Sequence, residues 1–200
     1  MNFVKKYLWP AIGFTIVFTI VTGLIYPGVV AGLAQLIFPN QANGSLVKVN
    51  GQVVGSDLIG QYWTSPRYFH GRPSATLSND ASKAQPYNAA NSGASNLGPT
   101  NSTLVKDVQQ RVQVLQKENP GVPVPVDLVT ASGSGLDPDI TPAGAYFQVS
   151  YVAQERGLDA NAVKQLVTNT THGRFLGIFG EPYVNVLELN IALDKMSQHQ

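Results

Sequence analysis

The chain has 200 residues and a nearly balanced charge, 13 Lys and Arg against 12 Asp and Glu, so no basic surface recommends nucleic acid and no acidic tail recommends a cationic partner. Cysteine is absent, which excludes disulfides, thiol nucleophiles and cysteine metal sites. The charges are unevenly spread: 41 residues between Lys6 and Lys48 contain no Asp, Glu, Lys, Arg or His.

The first two-thirds of that run is almost entirely apolar. Residues 8–30, LWPAIGFTIVFTIVTGLIYPGVV, form as a helix a rod of roughly 35 Å, enough to cross a hydrocarbon core of about 30 Å. Lys5 and Lys6 precede it, so the positive-inside bias predicts residues 1–7 in the cytoplasm and residues 31–200 outside. Tyr7, Trp9 and Tyr26 stand where interfacial aromatics are favoured, and Pro10 falls in the first turn. A cleaved signal peptide is the rival reading, with Gly32 and Ala34 before Gln35 as its cleavage site, but the apolar run is longer than a signal core. Within the span Thr15, Thr19 and Gly23 recur every four residues, a stripe that predicts close approach of a neighbouring membrane helix.

The rest is long enough for one domain with its own core. Residues 46–59 predict a hairpin turning at Asn50-Gly51. Residues 71–103 are dominated by Gly, Pro, Ser, Asn and Ala and predict a long polar loop. Tyr62, Trp63, Tyr68 and Phe69, alternating with Arg67, His70 and Arg72, predict that its beginning is anchored. Leu104, Val105, Val108, Val112 and Leu115 then repeat at helical spacing behind Ser102 or Thr103 as cap, and Pro120-Gly121 stops that helix. Residues 123–132 alternate as a strand. Thr141, Pro142 and Gly157 bound a further helix, Asp159 caps the next to about Thr170, and residues 181–196 supply a strand turning into a terminal helix. Strands and helices mix without a βαβ repeat, so the expected class is α+β: one N-terminal transmembrane helix, then a single mixed domain.

Chemistry-bearing patterns are sparse. Ser132, Gly133, Ser134 and Gly135 do not match the Gly-x-Ser-x-Gly nucleophile elbow, and no Walker sequence occurs. His70, His172 and His199 are far apart and in no zinc-binding arrangement, so no metal site is expected, and a loop histidine is by default solvated. Asp137 and Asp139 flank Pro138 and predict a local turn rather than a cation site. Asn43, Asn101 and Asn169 begin glycosylation sequons that chance explains in a chain this rich in Asn, Ser and Thr.

Four separated stretches, YFHGRPSA (68–75), NSGASNLGP (91–99), DLVTASGSGLDPDI (127–140) and EPYVNVLELNIALD (181–194), together with GLIYPG (23–28), resemble the C subunit of Kdp-type potassium-transporting ATPases. The similarity runs through nearly the whole chain in order; Ala94 departs from it, standing where that family usually has a second glycine after Gly93. The resemblance implies a non-catalytic accessory subunit of a bacterial inner-membrane pump, partnered by a channel-like potassium-conducting subunit and a P-type ATP-hydrolysing subunit. ATP and potassium would then be handled by the complex, with no catalytic residue and no cofactor of this chain's own. Asp194-Lys195 continues into Met196 and Ser197, not into the phosphorylation sequence of P-type pumps. The family is described as a catalytic chaperone that raises ATP affinity, and Gln148 is implied in holding nucleotide. The lysine bias, however, puts Gln148 outside, away from cytoplasmic ATP, which predicts a structural role for it as a partly exposed helix residue. Assembly is the role expected instead, with the neutral stretch containing Ser92, Gly93, Ser95, Asn96 and Gly98 as a partner-docking loop over the potassium entrance. The alternative is a membrane-tethered extracytoplasmic hydrolase or ligand-binding domain using Ser134, His172 and Asp137.

Overall fold

The computed structural model describes residues 3–198, and the chain divides into two compact units, one up to residue 46 and one from residue 47 onward. In the first, Lys5–Ile37 is a single helix of 33 residues, roughly 50 Å long. It runs past Val30, where the span was expected to end. Its α-helical parts are α1 (Trp9–Ile20) and α2 (Tyr26–Ile37), and π-helical turns occupy Val4–Leu8 and Val21–Ile25. Each π turn ends two residues before a proline, Pro10 or Pro27. A proline has no N–H for the carbonyl four residues back, and its ring crowds that carbonyl; a widened turn relieves both problems. No residue of α1 or α2 is buried. A short α3 (Pro39–Ala42) follows, and the Asn43 and Gln35 side-chain amides pair beside it.

The expected hairpin comes next, β1 (Leu46–Val49) and β2 (Gln52–Ser56), whose turn residues Asn50 and Gly51 both have positive φ, 51° and 80°. That is the geometry of a type I′ turn. The next regular element is α4 (Ser102–Glu118), capped by Asn101, whose side chain accepts from the Thr103 N–H, one residue earlier than the cap expected. The expected strand at 123–132 is absent. A short 3-10 turn, Val126–Leu128, stands there instead. Pro123 and Pro125 have no N–H to give a ladder, and the buried Asp127 carboxylate reaches across to accept from the Thr141 N–H at 2.7 Å.

The remaining elements follow in order: β3 (Asp139–Ile140), α5 (Pro142–Arg156), α6 (Ala160–Thr170), β4 (Thr171–His172), β5 (Tyr183–Asn185) and α7 (Val186–Gln198). The predicted caps are in place: Thr141 accepts from the Gly144 N–H, Asp159 from those of Asn161 and Ala162, and Gly157 ends α5 with φ 68°. The three short strands form an antiparallel sheet in the order β3-β5-β4, with Ile140 and Thr171 both opposite Val184. Asn185 joins sheet to helix, its Oδ1 accepting from the Leu187 and Glu188 N–H groups at the start of α7. The architecture of this unit is therefore mixed α+β, as expected.

The core lies between α5, α6, α7 and the sheet. Val163 and Val167 contribute from α6, Val186, Leu189 and Leu193 from α7, and Val184 from β5. Helix α5 is buried on most of its circumference, with Ala145, Phe147, Val149, Val152 and Ala153 all in the core. Phe69, wholly buried, comes from outside the regular elements.

At the start of α5, Gly144 faces the Asp127 carboxylate; a Cβ there would lie 2.6 Å from Oδ2. Gly144→Ala is expected to cost about 1–3 kcal/mol through this overlap. Denaturant unfolding of the full chain in detergent measures it, and an unshifted midpoint would show that Asp127 is free to move aside.

Candidate functional site

The most constrained region is the start of the polar loop, where consecutive residues are held by side chains of two helices, α5 and α7. Arg156, near the end of α5, donates from Nε to the Arg67 carbonyl, stacks on the Tyr68 ring at 4.5 Å and pairs with Asp194 of α7 at 2.7 Å. The Tyr68 hydroxyl donates to the same Asp194. Phe69 and His70 are gripped by two side-chain amides. Asn190, fully buried in α7, accepts from the Phe69 N–H at 2.9 Å and donates to the Phe69 carbonyl at 3.0 Å. Gln148 of α5 accepts from the His70 N–H at 2.8 Å and donates to the His70 carbonyl at 3.1 Å. Each amide thus supplies the donor and acceptor that a neighbouring strand would supply.

Gln148 is 8% exposed, so the expectation of a partly exposed helix residue is corrected: position 148 lies on the buried side of α5 and faces the 69–70 segment. Its second N–H reaches the Gly144 carbonyl at 3.2 Å. Both of its donors are therefore occupied. His70 is half-buried rather than solvated, and its Nε2 lies 3.0 Å from the Ser65 carbonyl.

Farther along, residues 71–101 contain no helix or strand of their own, α4 beginning at Ser102, yet side chains tie the loop to the domain. Arg72 pairs with Asp137 at 3.0 Å, and the Tyr87 hydroxyl donates to the Arg72 carbonyl at 2.7 Å. Burial, with the Asp137 charge adding to it, pushes the Tyr87 phenol up to about 12. Ser74 donates to the Gly135 carbonyl and accepts from the Tyr87 N–H, while Thr76 donates to Gln85 and accepts from Asn88. Gly135 is required at this crossing: its φ is 68°, and a Cβ would lie 2.5 Å from Thr76 and 2.7 Å from the Gly93 carbonyl.

The residues expected to dock a partner separate into two groups. Ser92 and Gly93 both donate to the Ser134 carbonyl, at 3.0 and 2.9 Å, and fasten the loop to the 132–135 segment. Ser95, Asn96 and Gly98 make only local bonds, to Leu97, Ala94 and Asn101, and stand exposed. In the helix of the first unit, Thr15 and Thr19 donate to the carbonyls four residues back, and Gly23 has open space where a side chain would be. That stripe presents small, self-satisfied groups.

A cavity of about 580 Å³ opens beside the amide grip, walled by Tyr62, Trp63, Tyr87, Phe147 and Tyr151, with Arg111 and Gln148 among its polar groups. Trp63 Nε1 and Arg72 Nε are buried in its walls without a hydrogen-bond partner among the described residues, but as they have almost no exposed surface they are not donors to an occupant. The alternative catalytic group does not assemble. Ser134 Oγ accepts from the Leu136 N–H, Asp137 is taken by Arg72 and by the Asp139 N–H, and His172 bonds to Glu188 at 2.7 Å while stacking on Tyr183. No hydrogen bond joins any two of the three among the described residues. The Asp137 bond to Asp139 is the local turn expected there. His199 lies outside the described residues.

Compared with known proteins, residues 8–195 match the family model for KdpC, the c chain of K+-transporting ATPases. The chain belongs to the KdpC family. It is 55% identical over 191 residues to the potassium-transporting ATPase KdpC subunit of Bradyrhizobium diazoefficiens, covering 93% of this chain and 95% of that one. It is 54% identical over 197 residues to the KdpC subunit of Methylobacterium nodulans (96% and 98%), and 50% identical over 190 residues to that of Koribacter versatilis (95% of each). Membership makes the chain an accessory subunit in potassium transport and implies other Kdp subunits as partners.

Sequence reasoning did not single out Asn190, although its signal was present: in α7 the buried positions 186, 189, 190 and 193 form one helical stripe, and an amide within such a stripe needs a buried partner. Nor did it foresee the position of Asp139. Burial, followed by the Asp137 charge, pushes that carboxyl up to about 6, against the pull of the Asn185 hydrogen bond. A carboxyl with a raised folded value favours the fold only while protonated, so its contribution to stability falls as pH rises from about 4 through about 6. Asp139→Asn, which keeps an acceptor for Asn185, is expected to raise the melting temperature at pH 8 and leave it unchanged near pH 4. Thermal unfolding across that range measures both.

Proposed function

We propose that the chain is a single-span assembly subunit of its potassium pump, with the N-terminus in the cytoplasm and the α+β domain outside, and that Gln148 holds the domain's own backbone rather than nucleotide. The observation that carries this reading is the occupied amide: both Gln148 donors and its acceptor oxygen are engaged inside the domain. To grip a nucleotide, Gln148 must release His70 and leave half-buried backbone groups without their partner, at up to about 1–3 kcal/mol each. Lys5 and Lys6 before an apolar helix support the orientation, which also separates Gln148 from cytoplasmic ATP. The uncharged, exposed stretch carrying Ser95, Asn96 and Gly98, which follows the anchored Ser92 and Gly93, is the docking surface in this reading: amides and hydroxyls contact a potassium entrance without trapping the ion, whereas a ring of carboxylates would bind it. The small stripe of Thr15, Thr19 and Gly23 packs against a helix of the channel-like subunit.

Gln148→Ala is expected to lower the unfolding free energy of the chain by about 1–3 kcal/mol and to leave the apparent ATP KM of the assembled pump unchanged. A selective rise in that constant, with assembly and stability preserved, would restore the nucleotide role.

The span and its orientation are tested separately. A reporter fused at the C-terminus should be active only in the form that works outside the cytoplasm. Thr19→Leu combined with Gly23→Leu should reduce copurification of the other subunits, with Val17→Leu as the off-stripe comparison; equal yields from the two would remove the stripe from the interface.

A further inference from the structure

Between β4 and β5 the chain makes a turn that no role described so far uses. Residues 175–179 read FLGIF, and the turn closes through two bonds between the same pair, the Phe175 N–H to the Phe179 carbonyl at 2.8 Å and the Phe179 N–H to the Phe175 carbonyl at 3.0 Å. Phe175, Leu176, Ile178 and Phe179 are nevertheless 62–73% exposed. Four bulky apolar side chains on one small tip are what water disfavours most; burying each fully is worth about 1.5–3 kcal/mol.

We infer that this tip dips into the lipid surface on the domain's side of the membrane. The inference rests on the membrane-tethered reading above and goes beyond it. Three features favour lipid over a protein groove. First, the tip's backbone largely satisfies itself: four of the five N–H groups from residue 175 to 179 donate within the turn, to Phe179, Arg174 and twice to Phe175. A hydrocarbon medium demands that, because it offers no partner for a free N–H, whereas a protein groove would supply partners of its own. Second, no charge enters with the tip. Residues 175–180 are uncharged, and the flanking Arg174 and Glu181 neutralise each other in a forked pair, with Nη2 2.9 and 2.7 Å from the two carboxylate oxygens. That pair sits where the polar headgroups would begin. Third, the domain is leashed: nine residues separate Ile37, where the apolar helix ends, from Val47, where the domain begins. Even fully extended they reach only about 30 Å, so a membrane surface is always at high effective concentration for the tip.

The absence of cysteine makes the test direct. Leu176→Cys in the full-length chain carries an environment-sensitive fluorophore, and the protein is reconstituted alone into phosphatidylethanolamine–phosphatidylglycerol vesicles whose acyl chains bear a doxyl quencher. Lys106→Cys, on the exposed face of α4, is the comparison. The label at 176 is expected to emit at shorter wavelength and lose most of its intensity to the quencher, while the label at 106 does neither. Adding Ile178→Ser and Phe179→Ser should abolish the quenching at 176, which separates insertion driven by the tip from insertion driven by the dye. An unquenched label at 176 in vesicles that the protein demonstrably spans overturns the inference. So does a label that becomes shielded only once the other pump subunits are added, since the tip would then be a protein contact. Failure of the chain to float with the vesicles at all would overturn the spanning helix, and this inference with it.

Discussion

The domain depends on the grip of two buried amides on a two-residue length of backbone. Phe69 and His70 have four main-chain polar groups, those of Phe69 buried and those of His70 partly buried, and the loop offers them no strand to pair with. Asn190 from α7 and Gln148 from α5 satisfy all four, from two helices of one core. Each orphaned group would cost about 1–3 kcal/mol, comparable to burying a large side chain, so the arrangement holds together or fails together. Because Phe69 is wholly buried between these bonds, its ring and its backbone fix the same register. The position of everything downstream, from Arg72 on Asp137 to Ser74 on Gly135, follows from that register.

A loop this polar cannot be ordered by hydrophobic burial, and it is ordered by side chains that bond backbone. Thr76, Asn88 and Asn91 span turns of the loop from within, as Ser74 and Ser92 span to the Gly/Ser segment. The Asp80 carboxylate, fully exposed, is held down to about 2 by the Ser78 and Ser82 donors around it. The outcome is a surface that is fixed in shape and nearly neutral. Such a surface suits contact with a protein that must pass a cation, because binding it adds shape complementarity without adding a field.

What was legible in the sequence is what short-range chemistry decides. Thr141-Pro142 with Gly157, Asp159, and Asn50-Gly51 bounded their elements as expected, because a cap or a turn needs only its own few residues. Two of the misreadings involve partners far along the chain. The alternation at 123–132 resembles a strand until Asp127 is seen to bond Thr141, and Gln148 reads as a surface residue until its partner, 78 residues away, is known. The apolar tip was overlooked for a different reason: FLGIF has neither helical nor strand periodicity, and a sequence read for periodicity passes over a short turn whose apolar groups point outward.

The distribution of apolar surface gives the chain its character. A subunit that worked alone would bury its large side chains, and the domain does so with Val163, Val167, Leu189 and Leu193. The exceptions are concentrated in the helix Lys5–Ile37, where Phe14, Ile16, Phe18 and Leu24 stand open, and in the tip at 175–179. The domain also carries an aromatic cavity whose buried N–H groups are out of an occupant's reach and a polar loop with, among the described residues, no nucleophile placed beside a base. The exposed apolar helix is stable only in a medium of matching polarity, and the polar loop is stable by itself. That division, an exposed apolar helix joined to a domain with a core of its own, suits an accessory subunit of a larger membrane assembly.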